Sequence, residues 1–278
     1  MRDDRGYVLA DVEFDVVWEH LTRTGPPPVL RLNSPGRTHG ERGRVRAAAW
    51  QALRDRGLAD ATGPEPGLVR LLHALARPTR QLELRACWGD RVRAVAAGRT
   101  GTGALAVRCG DTVVVAGCAW LPAALLGALP PGRPGPGRAC TVPTAVLADA
   151  GGGDALVAGL VAGGISPTEA RMLGRILGSV ERRAQVVALV ESAPGRGLHR
   201  QGGVIGLLDG APGRYLLTHR TAPDGTEWTT VAPCDPRRLQ QQLAALLRRP
   251  GPAAPPAAVT RRRSRSGPPP LPPPRPPR

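Results

Sequence analysis

No lysine occurs in this 278-residue chain: all 38 basic residues are arginine, set against 22 acids, for a net charge of +16. Nucleic-acid binders usually mix the two cations, so uniform arginine beside abundant alanine, glycine and proline reads first as compositional bias. A basic interaction surface is the sharper alternative. Aromatics are equally scarce: five Trp, two Tyr and one Phe supply no stacking platform for single strands. The five cysteines (Cys87, Cys109, Cys118, Cys140, Cys234) form no CxxC pair and are odd in number, which argues against a zinc site and against a secreted disulfide framework. Buried free thiols in a reducing compartment are expected instead. Met1–Arg5 leads into no apolar core segment, so no signal peptide is read. Val113–Pro131 is free of charge, but Pro122, Gly117 and Gly127 interrupt it, and it reads as a strand and a short helix, not a membrane span.

Chemistry-bearing constellations are also missing. The histidines (His20, His39, His73, His199, His219) are scattered, with no pair at ligand spacing, and no Gly-x-Ser-x-Gly elbow exists. Nothing pairs a Cys with a His as nucleophile and base. Gly98-Arg99-Thr100-Gly101-Thr102-Gly103 lacks the Lys-Ser/Thr ending of a phosphate loop and lies between two strands, so it reads as a flexible hairpin loop. Gly203–Gly213 fails the dinucleotide fingerprint for the same reason. Asp11, Glu13 and Asp15 alternate and read as the solvated edge of an extended segment. No catalytic residue, metal site or cofactor is expected.

What the chain does contain is folding information. Residues 250–278 hold 12 prolines and six arginines without an acid. That composition cannot bury enough apolar surface to offset ordering entropy, so a disordered tail of polyproline II character is expected; a ligand for a proline-recognition domain or an anionic surface is the sharper alternative. The folded part, within residues 1–249, repeats one pattern in halves of about 7–130 and 138–249: helices, a four-strand meander, a closing helix. The first half has a helix at Glu41–Arg56 stopped by Gly57-Leu58, and a helix at Leu68–Leu75 stopped by Pro78. Strands follow around Leu82–Trp88, Val92–Ala97, Leu105–Cys109 and Val113–Ala116, with turns at Gly89-Asp90 and Gly110-Asp111, and Leu121–Leu129 closes the unit. The Pro- and Gly-rich stretch Pro130–Arg138 joins the halves. The second half opens on the capping box Ser166-Pro167-Thr168-Glu169, behind which Met172, Leu173, Ile176, Leu177 and Val180 keep helical spacing. Strands at Gln185–Val190, Val204–Leu208, Tyr215–His219 and Trp228–Val231 follow, with Asp224-Gly225 as a hairpin turn. Asp235 then caps a helix with Leu239, Leu243 and Leu246 on its buried side. Runs of strands flanked by runs of helices predict an α+β fold of antiparallel meanders in two quasi-two-fold halves. The pattern leaves open whether they form one sheet or two stacked ones.

Several segments keep a recurring order. Gly36-Arg37-Thr38-His39-Gly40-Glu41-Arg42 has the form G-x-T-x-x-E-R, followed by Ala49-Trp50-Gln51-Ala52-Leu53 and Arg56-Gly57-Leu58. The second half holds Gly213-Arg214-Tyr215-Leu216 and Glu227-Trp228-Thr229-Thr230-Val231-Ala232-Pro233. In order and spacing this resembles the EspG family associated with actinobacterial type VII (ESX) secretion, over residues 7–249. The resemblance implies a cytosolic, non-enzymatic chaperone that binds the helical tip of PE/PPE-type or related substrates, keeps them soluble and presents them to the secretion machinery. It implies contact regions at the hairpin with Arg99, Thr100 and Gly101, at the sheet around Tyr215 and Leu217, and on the last helix at Leu239, Gln242 and Leu246. Trp228 is added as an aromatic anchor. A monomer or weak homodimer is expected. The alternative is a nucleic-acid binder that uses the arginine-rich tail.

Overall fold

In a computed structural model, the residues described are 6–88, 90–151, 153 and 155–248. The first half runs β1 (Tyr7–Ala10), α1 (Asp11–Leu21), a single 3-10 turn (Pro28–Leu30), α2 (His39–Asp55), α3 (Pro66–Ala76), β2 (Arg80–Trp88), β3 (Asp90–Arg99), β4 (Thr102–Cys109), β5 (Thr112–Cys118) and α4 (Leu121–Gly127). The second runs β6 (Cys140–Pro143), α5 (Thr144–Asp149), α6 (Ala155–Ala162), α7 (Pro167–Gly178), β7 (Val180–Glu191), β8 (Leu198–Gly210), β9 (Gly213–Thr221), β10 (Glu227–Pro233) and α8 (Pro236–Arg248). Apart from the 3-10 turn, the order of elements is the same in both.

The strands form one antiparallel ten-stranded sheet in the order β1-β5-β4-β3-β2-β7-β8-β9-β10-β6. The order reads alike from both edges, with β2 and β7 paired at the centre, Leu84 opposite Val186. This answers what the pattern left open. It also shows two strands not foreseen in the sequence: β1 and β6 each fold back to the outer edge of their own meander. At four residues each they carry too little alternation to be seen.

One face of the sheet carries α4 and α8. Leu121, Leu125, Leu239, Leu243 and Leu246 pack there on Leu82, Leu84, Ala94, Val186 and Leu207, so a single core crosses from one half to the other. The opposite face carries two separate layers. Helices α1–α3 cover side chains of β1, β3, β4 and β5, including Leu9, Val95, Ala106 and Val113. Helices α5–α7 cover the other end through Cys140, Val142, Tyr215 and Val231. Neither cluster includes a side chain of β2 or β7.

Local signals explain most elements. Thr38 Oγ1 accepts from the Glu41 amide at 3.2 Å while Glu41 Oε2 accepts from the Thr38 amide at 3.2 Å, a reciprocal capping box that starts α2 two residues before the expected Glu41. At its end Gly57 sits at φ 65°, with Leu58 N–H donating to Leu53 O and Gly57 N–H to Arg54 O, both at 2.9 Å, so the expected glycine stop takes Schellman form. Asp235 Oδ1 accepts from the Arg238 amide at 2.7 Å and opens α8 as read.

Three expectations are corrected. Val180 begins β7, because α7 ends at Gly178 and its apolar spacing runs two residues past the helix. The segment with Asp11, Glu13 and Asp15 is helix α1, and all three acids are buried. Alternation suggested a wet strand edge, but each acid meets an arginine from a distant element, and that pairing pays for its burial. Lastly, Gly98–Gly103 is no open loop: Arg99 pairs with Thr102, leaving Thr100-Gly101 as a two-residue turn. Gly89, from one expected turn, and the expected disordered tail at 250–278 lie outside the described residues.

Candidate functional site

The uncovered strip of sheet between the two helix layers forms a groove of about 790 Å³. Its cations come from side-chain alternation. On β2, Leu82, Leu84 and Ala86 face the α4–α8 core, which turns Arg85 and Cys87 to the other face. The register then sets Arg85 opposite Arg93 on β3 and Gln185 on β7, and Cys87 between Arg91 and Arg183. Arg93 in turn lies opposite Arg108 on β4. Arg31, at the end of the 3-10 turn, completes the rim. Val204, Leu208 and Leu217 add apolar surface, and His219 stands at the far side.

Like charges placed opposite one another in a sheet are destabilising unless neutralised. Two of these arginines are neutralised. Arg108 makes a bidentate contact with the buried Asp11 (Nε to Oδ1 2.8 Å, Nη2 to Oδ2 2.5 Å). Arg85 reaches Glu83 at 3.3 Å. Among the described side chains no ion pair joins Arg31, Arg91, Arg93 or Arg183 to an acid. Burial, followed by the guanidinium charges of Arg31, Arg85, Arg91 and Arg108, pushes the pKa of Arg93 down from its ordinary value. Arg85 apart, the groove's arginines carry no neutralising acid among the described side chains, and with the apolar surface beside them they are suited to holding carboxylates or phosphates by forked hydrogen bonds.

The sequence-read contact residues are dispersed. Leu217 lies in the groove. Tyr215, two residues earlier, is buried and donates its hydroxyl to Pro136 O at 2.9 Å. Arg99, Thr100 and Gly101 are exposed at the β3–β4 turn, where Arg99 borders a second cavity of about 520 Å³ with Trp18 and Glu191. Trp228 is half-buried on β10 opposite Arg220 and Pro143. On the reverse face Leu239 and Leu246 are core residues, and half-buried Gln242 lines a cavity of about 120 Å³ with Leu246. The structure thus brings Leu217 to the arginine groove and sets the others elsewhere. Arg31, Arg91, Arg93 and Arg183 were not foreseen, although Arg85, Arg91 and Arg93 at two-residue spacing on adjacent strands carried the signal.

The segments that carried the family resemblance turn out to be fasteners. Thr38 and Glu41 are the capping box of α2, and Arg42 ties that helix to α1 through Asp15 at 2.8 Å and Glu19 at 2.6 Å. Gly36 has φ 99°, and a Cβ there would lie 2.7 Å from the Arg42 Cα. Arg214 is buried, holds Asp209 with two bonds of 2.7 Å, and reaches Pro130 O at 3.0 Å, pinning the connection between the halves.

Among the described residues no group of three or more His, Cys, Asp or Glu is placed to hold a metal, and no helix is long and apolar enough to cross a membrane.

The model of the EspG family matches residues 11–245. Among solved structures, the chain is similar to the type VII secretion system chaperone EspG5 of Mycobacterium tuberculosis, determined in complex with the PE25-PPE41 dimer. The TM-score is 0.68 at 18% identity, covering 87% of this chain and 96% of that one. No curated protein matches.

Proposed function

The chain belongs to the EspG family, and from that premise we propose that it is a cytosolic, non-enzymatic chaperone of type VII secretion. In this reading it binds the helical tip of a PE/PPE-type or related substrate, keeps the substrate soluble and hands it to the secretion machinery. The observation that carries the reading is the extent of the family match: it spans both halves of the sheet, from α1 to α8. The likeness in fold to a secretion chaperone whose structure is known in complex with a PE25-PPE41 dimer supports it. The physical need is clear as well. An exposed apolar helical tip aggregates until a complementary surface covers it. Residues 1–249 would act as the client-binding unit, with halves 7–130 and 138–249, and the exposed Arg99 and Thr100 and the half-buried, groove-lining Leu217 are proposed to contact the client.

The test is co-expression of the full chain with PE–PPE pairs encoded beside type VII secretion genes in its own host. A soluble complex that survives size-exclusion chromatography, from a client that precipitates when made alone, is the expected result. Precipitation of every such pair in the presence of the chain would overturn the reading. Light scattering on the free chain checks the expected monomer or weak homodimer.

A further inference from the structure

We propose that the arginine groove selects its protein partner by charge: its occupant is an amphipathic helix that carries carboxylates along one flank of an apolar strip. The inference rests on the chaperone reading for the identity of the partner, but its chemistry comes from the groove alone. Arg31, Arg91, Arg93 and Arg183 meet in one concavity without an acid to neutralise them among the described side chains. The sheet register forces this crowding, since Arg85 stands opposite Arg93 and Arg91 opposite Cys87, itself opposite Arg183. Fold stability gains nothing from such an arrangement, because like charges in register repel. The lowered pKa of Arg93 is a sign of that repulsion, after burial. An incoming carboxylate relieves it with a forked, charge-assisted bond.

The apolar side decides between kinds of anion. Val204, Leu208 and Leu217 present apolar surface on β8 and β9, beside the cations of β2, β3 and β7. A phosphate backbone would satisfy the arginines but leave this apolar surface wet, and among the described residues no Trp, Tyr or Phe lines the groove for bases to stack on, His219 being its one ring. An amphipathic helix with one acidic flank satisfies both the apolar and the cationic side.

The probe is a synthetic helix of about 20 residues, roughly 30 Å long, with a leucine stripe bordered along one side by glutamates. Its controls are the same peptide with lysine for glutamate, and a single-stranded oligothymidylate. Binding to the full-length protein is followed by fluorescence anisotropy at low and high salt. The glutamate peptide is expected to bind, to weaken with salt, and to lose roughly tenfold in affinity in Arg91→Gln/Arg183→Gln, at up to about 1 kcal/mol for each exposed pair. The lysine peptide is expected to fail. Arg44→Gln/Arg46→Gln on the outer surface of α2 removes the same charge elsewhere and should leave affinity unchanged. Equal loss in both double variants, tighter binding of the lysine peptide, or preference for the oligonucleotide would overturn the proposal. A second measurement needs no variant. The exposed Cys87 lies in the groove, whereas Cys109 is exposed and does not line it. The glutamate peptide should slow thiol labelling of Cys87 alone, and unchanged labelling at saturating peptide refutes groove binding. The two readings separate cleanly. If a PE–PPE pair is solubilised equally by wild type and Arg91→Gln/Arg183→Gln, the groove proposal fails and the chaperone reading stands. If the glutamate peptide binds while no PE–PPE pair is solubilised, the chaperone reading fails and the groove proposal stands.

Discussion

Asp11 is 3% exposed and sits at the first turn of α1, where Arg108 grips both its carboxylate oxygens across almost a hundred residues of sequence. Leaving one member of a buried pair alone costs more than the pair is worth. Asp11→Asn should therefore destabilise the protein by about 3 kcal/mol in urea unfolding, and adding Arg108→Met should recover part of that loss. A second residue-scale expectation concerns Tyr7, whose hydroxyl donates to Glu65 Oε2 at 2.5 Å and holds the Glu65 carboxyl below its ordinary pKa. A depressed carboxylate pKa contributes stability that is present above the unfolded-state value and lost as pH falls through the folded-state value. Tyr7→Phe should cost about 1 kcal/mol at neutral pH. The gap from wild type should close in unfolding measured below the carboxylate range. The thiols give a third check. Burial pushes Cys118 and Cys234 up to about 11, while Cys87 and Cys109 are exposed. A disulfide-exchange reagent at neutral pH should titrate those two quickly and the full five only in denaturant.

At the scale of elements, boundaries were legible where a single residue type performs a defined backbone task. The end of α2 is one case: only Gly57, at φ 65°, lets Leu58 turn back on Leu53. Gly57→Ala should cost about 1 kcal/mol, measured as a drop in midpoint denaturant with unchanged slope. Thr38→Ala should cost about as much, since it removes half of the capping box. Elements were missed where the signal was too short or misleading. β1 and β6 have four residues each, and the acidic alternation of Asp11, Glu13 and Asp15 imitates a strand although it lies on a helix. A side-chain period of two cannot report that each acid has a distant arginine.

For the whole molecule, the central fact is that the meanders share one sheet and one of its faces shares one core. Leu84 is fully buried in β2, opposite Ala94 of β3 and Val186 of β7, within the core that includes both α4 and α8. Leu84→Ala should cost about 3 kcal/mol. Unfolding should stay a single transition, because the core crosses the junction of the halves. Coincident melting of Trp fluorescence and far-ultraviolet circular dichroism would bear this out, and two separated transitions would show that the halves are independent. The opposite face has no such shared core, and the strip left open there is the arginine groove.

The sequence by itself determined the class, the repeated order of helices and meanders, the caps and the family. Those depend on local rules: side-chain period, turn chemistry and the spacing of short motifs. It did not determine which half-meander edges would meet, which acids would be buried, or which arginines would be left without partners. These follow from the register of β2 against β7 and from the gap between two helix layers, both of which join residues roughly a hundred positions apart. The motif residues Thr38, Glu41, Arg42 and Arg214 were visible early because they fasten the fold, whereas Arg91, Arg93 and Arg183 acquired meaning only when the strands assembled and set their charges side by side.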